Sequence, residues 1–281
     1  MKTWKFSLIF LLTLSACGLE NTPNSLNSTQ IVQPVQTLSS SNSKIRLPKS
    51  ETTFSIQFSD EIDINSLKGT LIDLDLFETD SQTITSLHNQ GKYIVCYLSA
   101  GSWENWRPDA SEFPHEVIGS NYAGWPGEKW LDIRELETLA PILTQRLDLC
   151  AQKGFDGVEP DNVDGYQNNT GFPLSAADQL QFNRWLAAEA HARGLSIGLK
   201  NDPEQAADLV DHFDWALLED CYAQNWCNLL DIFINQEKAV FAIEYTDEQT
   251  DFEQVCRLAA KDRINVVLKN RNLDSFEDHC P

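Results

Sequence analysis

From residue 51 onward the sequence predicts a single α/β domain, a (β/α)8 TIM barrel, preceded by a signal peptide and a disordered tether. Three observations predict it. Short apolar or β-branched runs alternate with longer amphipathic stretches, as in repeated βα units around a parallel sheet. Eight such runs can be counted, and about 230 residues remain to hold them, near the ~250 usual for this architecture.

The expected strands are Phe54–Phe58, Thr70–Leu76, Tyr93–Ser99, Gly157–Asp161, Ser196–Asn201, Trp215–Cys221, Ala239–Tyr245 and Asn265–Lys269. Helices are expected from Leu136 to Lys153 and from Ala176 to Arg193, the second with Ser175 as N-cap and Gly194 as the residue that stops it.

The N-terminus reads as a targeting segment. Lys2 and Lys5 precede an apolar run, Phe6 to Leu14, too short to span a bilayer, and Leu14-Ser15-Ala16-Cys17 resembles a bacterial lipobox. The expected division is a lipoprotein signal peptide over 1–16, a flexible linker over 17–50 anchored through lipid on Cys17, and the barrel over 51–281. The linker is rich in Asn, Ser, Thr, Gln and Pro and has too little apolar surface to offset the entropy of ordering. Gly18 stands where an inner-membrane retention Asp would, so the expected location is the bacterial outer membrane or cell surface.

With 42 acidic and 21 basic residues the net charge is −21, which disfavours nucleic acid and would concentrate a polycationic substrate. Besides Cys17 there are six cysteines, an even number that fits disulfides in an exported protein; Cys221 and Cys227 form the nearest local pair, and the other pairings stay open. The five histidines are scattered and no Cys-x-x-Cys occurs, so neither a metal nor any other cofactor is expected, and the protein is expected to be a monomer contacting the membrane only through its lipid.

Barrel strands are buried on both faces, so the polar residues that close them need a reason to be there. The runs end in Asp73 and Asp75, Tyr97 and Ser99, Glu159 and Asp161, Lys200-Asn201-Asp202, Glu219-Asp220, Glu244, and Lys269-Asn270. In a (β/α)8 barrel these ends converge on one pocket. Hydrolysis of a glycosidic bond needs two carboxyl groups, and Asp161 with Glu219 is the expected pair, Glu159 being a neighbour on the same strand face and Asp156 structural. Trp103, Trp106, Trp125 and Trp130, in the loop after the third strand, suit the apolar faces of sugar rings. Asp73, Asp75, Asp132, Asp202 and Glu244 exceed what hydrolysis requires and are expected to pair with substrate amines or to position Arg107 and Lys200; Tyr97, Tyr222 and Glu159 complete the expected substrate contacts.

The chain also resembles the glycoside hydrolase family 114 endo-α-1,4-polygalactosaminidases. The resemblance is carried by Ile72-Asp73-Leu74-Asp75, Cys96-Tyr97-Leu98-Ser99-Ala100-Gly101-Ser102, Trp106-Arg107-Pro108-Asp109-Ala110 and Trp130-Leu131-Asp132-Ile133-Arg134. It continues through Gly154-Phe155-Asp156-Gly157-Val158-Glu159-Pro160-Asp161-Asn162-Val163-Asp164, Gly198-Leu199-Lys200-Asn201-Asp202 and Glu219-Asp220-Cys221. It implies a TIM barrel, catalysis by Asp161 and Glu219, and a cationic α-1,4-linked galactosamine polymer as substrate. Two blocks depart from the family pattern: its Trp-rich first strand is Phe54-Ser55-Ile56-Gln57-Phe58 here, and Asn-Glu-Gln-Cys is Leu218-Glu219-Asp220-Cys221. By analogy with other α-glycosidase barrels, Asp161 is expected as nucleophile, kept ionised by Lys200, and Glu219 as general acid and then base with a pKa raised by burial, giving retention of configuration. The rival reading is a non-catalytic surface lipoprotein that binds an amino-sugar exopolysaccharide.

Overall fold

The computed structural model describes residues 45–281 apart from Gln249, so the signal peptide, Cys17 and most of the linker lie outside the described residues. Eight parallel strands follow one another around the sheet: β1 (Phe54–Gln57), β2 (Leu71–Asp75), β3 (Tyr93–Ser99), β4 (Gly157–Asp161), β5 (Ser196–Lys200), β6 (Trp215–Glu219), β7 (Val240–Tyr245) and β8 (Asn265–Lys269). All eight runs expected from the sequence form strands. A ninth, Glu277–His279, pairs antiparallel with β8, and the return to β1 is made by the C-terminal segment, where Leu273 O accepts from Phe58 N (2.9 Å) and Ser59 N (3.1 Å). The barrel is nearly closed.

Alternation along each strand sorts the side chains into two cores. Ile72, Leu74, Cys96, Val158, Ile197, Leu199, Leu218 and Ala242 face outward and pack under the helices, whereas Phe54, Leu71, Val95, Trp215, Leu217, Phe241 and Val267 fill the barrel interior. Gly198 is needed for that filling, because a Cβ there would stand 2.4 Å from the Trp215 indole.

The helices begin and end where their caps allow. Asp80 caps α1 (Ser81–Asn89) by accepting from Thr83 N at 2.7 Å; α2 (Leu136–Lys153) stops at Gly154, whose φ of 98° is open to glycine; and Ser175 with Asp178 forms a capping box on α3 (Ala176–Ala192). Asp156 is structural, as expected: it takes Ile94 N (2.9 Å), His88 and Arg46. Arg46, inside the stretch expected to be linker, also stacks 4.8 Å over Tyr93, so the last residues of that stretch are held to the barrel.

Pro160 sits inside β4. Its lost donor is tolerated because the registered pairing of β4 with β5 covers only Gly157 and Val158. The long loop after β3 contains a small antiparallel sheet of Ser102–Glu104, Ile118–Asn121 and Glu128–Leu131.

Three disulfides join Cys96 to Cys150, Cys221 to Cys227 and Cys256 to Cys280. The first ties β3 to α2 across 54 residues, and chain-entropy loss for a loop of that size is about 4 kcal/mol. The Cys96→Ala/Cys150→Ala double variant should therefore unfold at clearly lower denaturant than the wild type, and an unchanged midpoint would contradict this.

Candidate active site

At the C-terminal ends of the strands lies a cleft of about 850 Å³. Asp161, Lys200, Glu219, Tyr97 and Tyr245 line it, together with Phe58, Asp75, Arg107, Trp106, Tyr122, Trp125, Asp164 and Arg271. A second cavity of about 830 Å³ shares Tyr122, Trp125, Asp164, Glu219, Tyr245 and Arg271 and continues past Pro203, Gln224 and Trp226. The two make one groove with Glu219 at their junction.

The residues that close β4, β5 and β6 aim the site. Asn162 (φ 62°), Asn201 (φ 50°), Asp202 (φ 49°) and Asp220 (φ 53°) all adopt the left-handed conformation, which costs a non-glycine residue roughly 1–3 kcal/mol and is offset by the contacts it permits. Asn201 turns its side chain onto the next strand, donating from Nδ2 to Glu219 Oε2 (3.2 Å) and accepting Glu219 N on Oδ1 (3.0 Å). Asn162 donates to Ser99 Oγ (2.9 Å), Ser102 Oγ (3.0 Å) and Glu128 Oε1 (2.9 Å), which pins the turn after Asp161.

Lys200 is the hub. Its Nζ lies 2.8 Å from Glu159 Oε1, 3.1 Å from Asp161 Oδ1 and 3.2 Å from Glu219 Oε2, and the side chain is only 4% exposed. Three ammonium protons thus meet three carboxylates. Asp161 also accepts from Tyr97 Oη (3.2 Å) and Asn162 N (2.8 Å), and Glu219 from Tyr245 Oη (2.5 Å).

Burial pushes the Glu219 carboxyl up, but Lys200, the Tyr245 hydroxyl and Asn201 together outweigh it and hold Glu219 below the ordinary range. The expectation that burial alone raises this group is therefore corrected: its donors win in the free site. Burial also pulls Lys200 down, and its three carboxylate partners reverse that, leaving it charged. Asp164, half-buried in the cleft wall, is pushed up to about 6 by desolvation and by the Asp161 charge.

Of the residues singled out in the sequence, Asp161, Glu219, Asp75, Tyr97, Trp106, Arg107, Trp125 and Lys200 meet in this cleft. Trp106 (49% exposed) and Trp125 (46%) present open indole surface there. Asp75 is already engaged by Arg107 (2.7 Å) and by the backbone N–H groups of Phe77 and Glu78. Asp73 and Glu159 are fully buried beneath Lys200 and do not reach the cleft.

The others lie elsewhere, each for a local reason. Trp103 donates to Ala110 O (2.9 Å), and Trp130 is buried behind Tyr122, both rings being carried by the small antiparallel sheet. Asp132 clamps Arg134, and Asp202 is buried against Asn183 and Tyr166. Glu244 has the outward parity of β7 and accepts Tyr222 N (2.9 Å) and Ala223 N (3.1 Å), while Tyr222 Oη reaches Asp262.

Tyr245, Asn162, Tyr122, Asp164 and Arg271 were not singled out, and Asn201 was named only as a strand end. Parity was the available signal for Tyr245, which follows Phe241 and Ile243 on the inward face.

Residues 35–281 match the family model for glycoside hydrolase family GH114. The crystal structure of Aspergillus fumigatus Ega3 in complex with galactosamine is similar, at 37% identity and a TM-score of 0.79, with 84% of this chain and 97% of that one covered. The glycoside hydrolase domain of PelA from Pseudomonas aeruginosa shares the fold, at 15% identity and a TM-score of 0.64, covering 81% and 98%. An uncharacterized protein of Deinococcus radiodurans is 29% identical over 126 residues, which span 43% of this chain and only 40% of that protein.

Proposed function

The chain belongs to glycoside hydrolase family GH114, and on that premise we propose that it is an endo-acting hydrolase of α-1,4-linked, galactosamine-containing polysaccharide with Asp161 and Glu219 as its reacting carboxylates. The observation that carries the reading is the sharing of one buried lysine by these two groups on the floor of a long groove. A groove that continues on both sides of Glu219 suits a polymer bound across its middle.

The same geometry supports retention. Sharing one Nζ, at 3.1 and 3.2 Å, draws an oxygen of each carboxylate toward the other, as the closely spaced pair of a retaining enzyme requires. In the proposed sequence an Asp161 oxygen attacks the anomeric carbon as the glycosidic C–O bond breaks, and Glu219 gives its proton to the leaving oxygen. Glu219 then takes a proton from water, whose oxygen displaces Asp161.

Glu219 is held ionised in the free site, so its proton must be taken up as the sugar covers the 28% of the side chain still open to water. Oligomer binding to Asp161→Asn should therefore take up about one proton and tighten as pH falls, measured by calorimetry in buffers of different ionisation enthalpy. Binding without proton uptake would remove Glu219 as the acid.

Specificity for free amines is assigned to groups other than those expected from the sequence. Glu61, Glu78, Asp80 and Asp164 line the cleft, whereas Asp132, Asp202 and Glu244 serve the fold. The galactosamine in the Ega3 complex supports this choice of sugar. Hydrolysis should be faster on polymer with free amines than on fully N-acetylated polymer, and equal rates would exclude amine recognition.

The three disulfides fit an exported protein, and among the described residues no helix is long and apolar enough to cross a membrane. Lipid on Cys17 is the proposed attachment to the cell envelope.

A further inference from the structure

We infer that Asp73 and Glu159 share one proton beneath Lys200, and that this pair is the positioning unit that holds the lysine between Asp161 and Glu219. The inference rests on those two carboxylates being the reacting pair.

Asp73 on β2 and Glu159 on β4 both point into the barrel, both are 0% exposed, and neither lines the cleft. Glu159 Oε1 takes Lys200 at 2.8 Å, but Glu159 Oε2 and both oxygens of Asp73 have no hydrogen-bond partner among the described residues. Three orphan acceptors in one sealed space are costly. The two carboxyls are neighbours in that sealed space with Lys200 as their nearest cation, and two carboxylates so placed repel each other's charge.

One proton resolves the arrangement. If Asp73 carries it, its hydroxyl donates to Glu159 Oε2 and two of the three orphans disappear at once. Glu159 is the poorer carrier of the proton, because its ionised form holds the ammonium more strongly. Lys200 has no proton to spare for Asp73, since its three meet Glu159, Asp161 and Glu219. Burial first, and the Glu159 charge second, push Asp73 well above the ordinary carboxylate range, and burial pushes Glu159 up to about 7. The charged and titratable groups around the pair are Tyr97 on β3, Asp161 on β4, Lys200 on β5, Glu219 on β6, Tyr245 on β7, and Asp75 with its partner Arg107.

The consequence is an alkaline limit on turnover. As pH rises and the shared proton leaves, a second anion appears below Lys200, the ammonium is drawn down, and its hold on Asp161 and Glu219 weakens. The sign for stability is the same: a carboxyl whose folded pKa is raised binds its proton more tightly when folded, so its contribution is present at low pH and is lost as pH rises through the folded value.

Asp73→Asn tests this, because Asn is neutral at every pH and its amide can donate to Glu159 as the protonated Asp does. We expect Asp73→Asn to keep activity on the galactosamine polymer within about threefold of wild type, Asp73→Leu to lose about tenfold or more, and the alkaline limb of the wild-type pH profile to move upward in Asp73→Asn alone. Carbon-13 NMR of the wild-type full chain labelled in aspartate should show the Asp73 carboxyl still protonated at neutral pH, a readout independent of how the variants fold or whether the polymer is cleaved. An ionised Asp73 at neutral pH, an Asp73→Asn enzyme as impaired as Asp73→Leu, or superimposable pH profiles would each overturn the inference. Failure of the wild type to cleave the polymer would instead remove the proposed function and leave the shared proton to the NMR result.

Discussion

Asp161→Asn and Glu219→Gln should each lower kcat by at least about a thousandfold while the protein stays folded, since nucleophilic attack and proton transfer each supply that much or more of a glycosidase's rate. Both changes keep side-chain size. An amide at 161 can still accept from Asn162 N through its oxygen while its NH2 donates to Tyr97 Oη, and one at 219 can still meet Tyr245 and Asn201. Neither amide can bond to an anomeric carbon and leave again, nor carry a proton to a leaving oxygen. Lys200 keeps two charged partners in either variant, so melting temperatures should stay near the wild-type value. Near-normal turnover in either variant would make that residue something other than a reacting group.

Lys200→Met should have the largest effect on stability. The substitution fills similar space but leaves Glu159, Asp161 and Glu219 facing one another without their cation. Stranding buried charge in this way costs about 3–5 kcal/mol. The direction with pH follows from the carboxyls. Without the lysine their folded pKa values rise above the unfolded ones, so the variant is least impaired in acid and loses stability as pH rises through the carboxylate range. Urea unfolding at an acidic and a neutral pH, compared with wild type, measures this. A deficit that shrinks on going to neutral pH would contradict the hub described here.

The barrel was legible because its strands are buried on both faces and the polar groups that close them stand out against apolar runs. That contrast placed Asp161, Lys200 and Glu219 among the strand ends, and the resemblance to family 114 singled out Asp161 and Glu219 as the pair. What escaped the sequence was mostly a matter of parity and of short-range pairing. Glu244 and Tyr245 end the same run, and only alternation from Phe241 and Ile243 tells that the tyrosine faces the site and the glutamate faces out. Trp103 and Trp130 belong to strands of three and four residues that carry no periodic signal, so two rings that resembled sugar platforms stand outside the cleft lining. Asn162 and Asn201 act through left-handed backbone and bonds to other strands, which no local pattern announces. Asp73 was visible as an acidic strand end, but its depth was not: it lies one inward position below Asp75, and that step separates the cleft wall from the sealed interior.

The measurement that bears most directly on the central claim is the size distribution of an α-1,4-galactosamine polymer during the first few per cent of hydrolysis, followed for the wild type and for Glu219→Gln. An endo-acting enzyme working through Glu219 will shorten the average chain steeply while releasing little monosaccharide, and the variant will bind the polymer without shortening it. Intact polymer with the wild type, or release of monosaccharide with little change in chain length, would contradict the account.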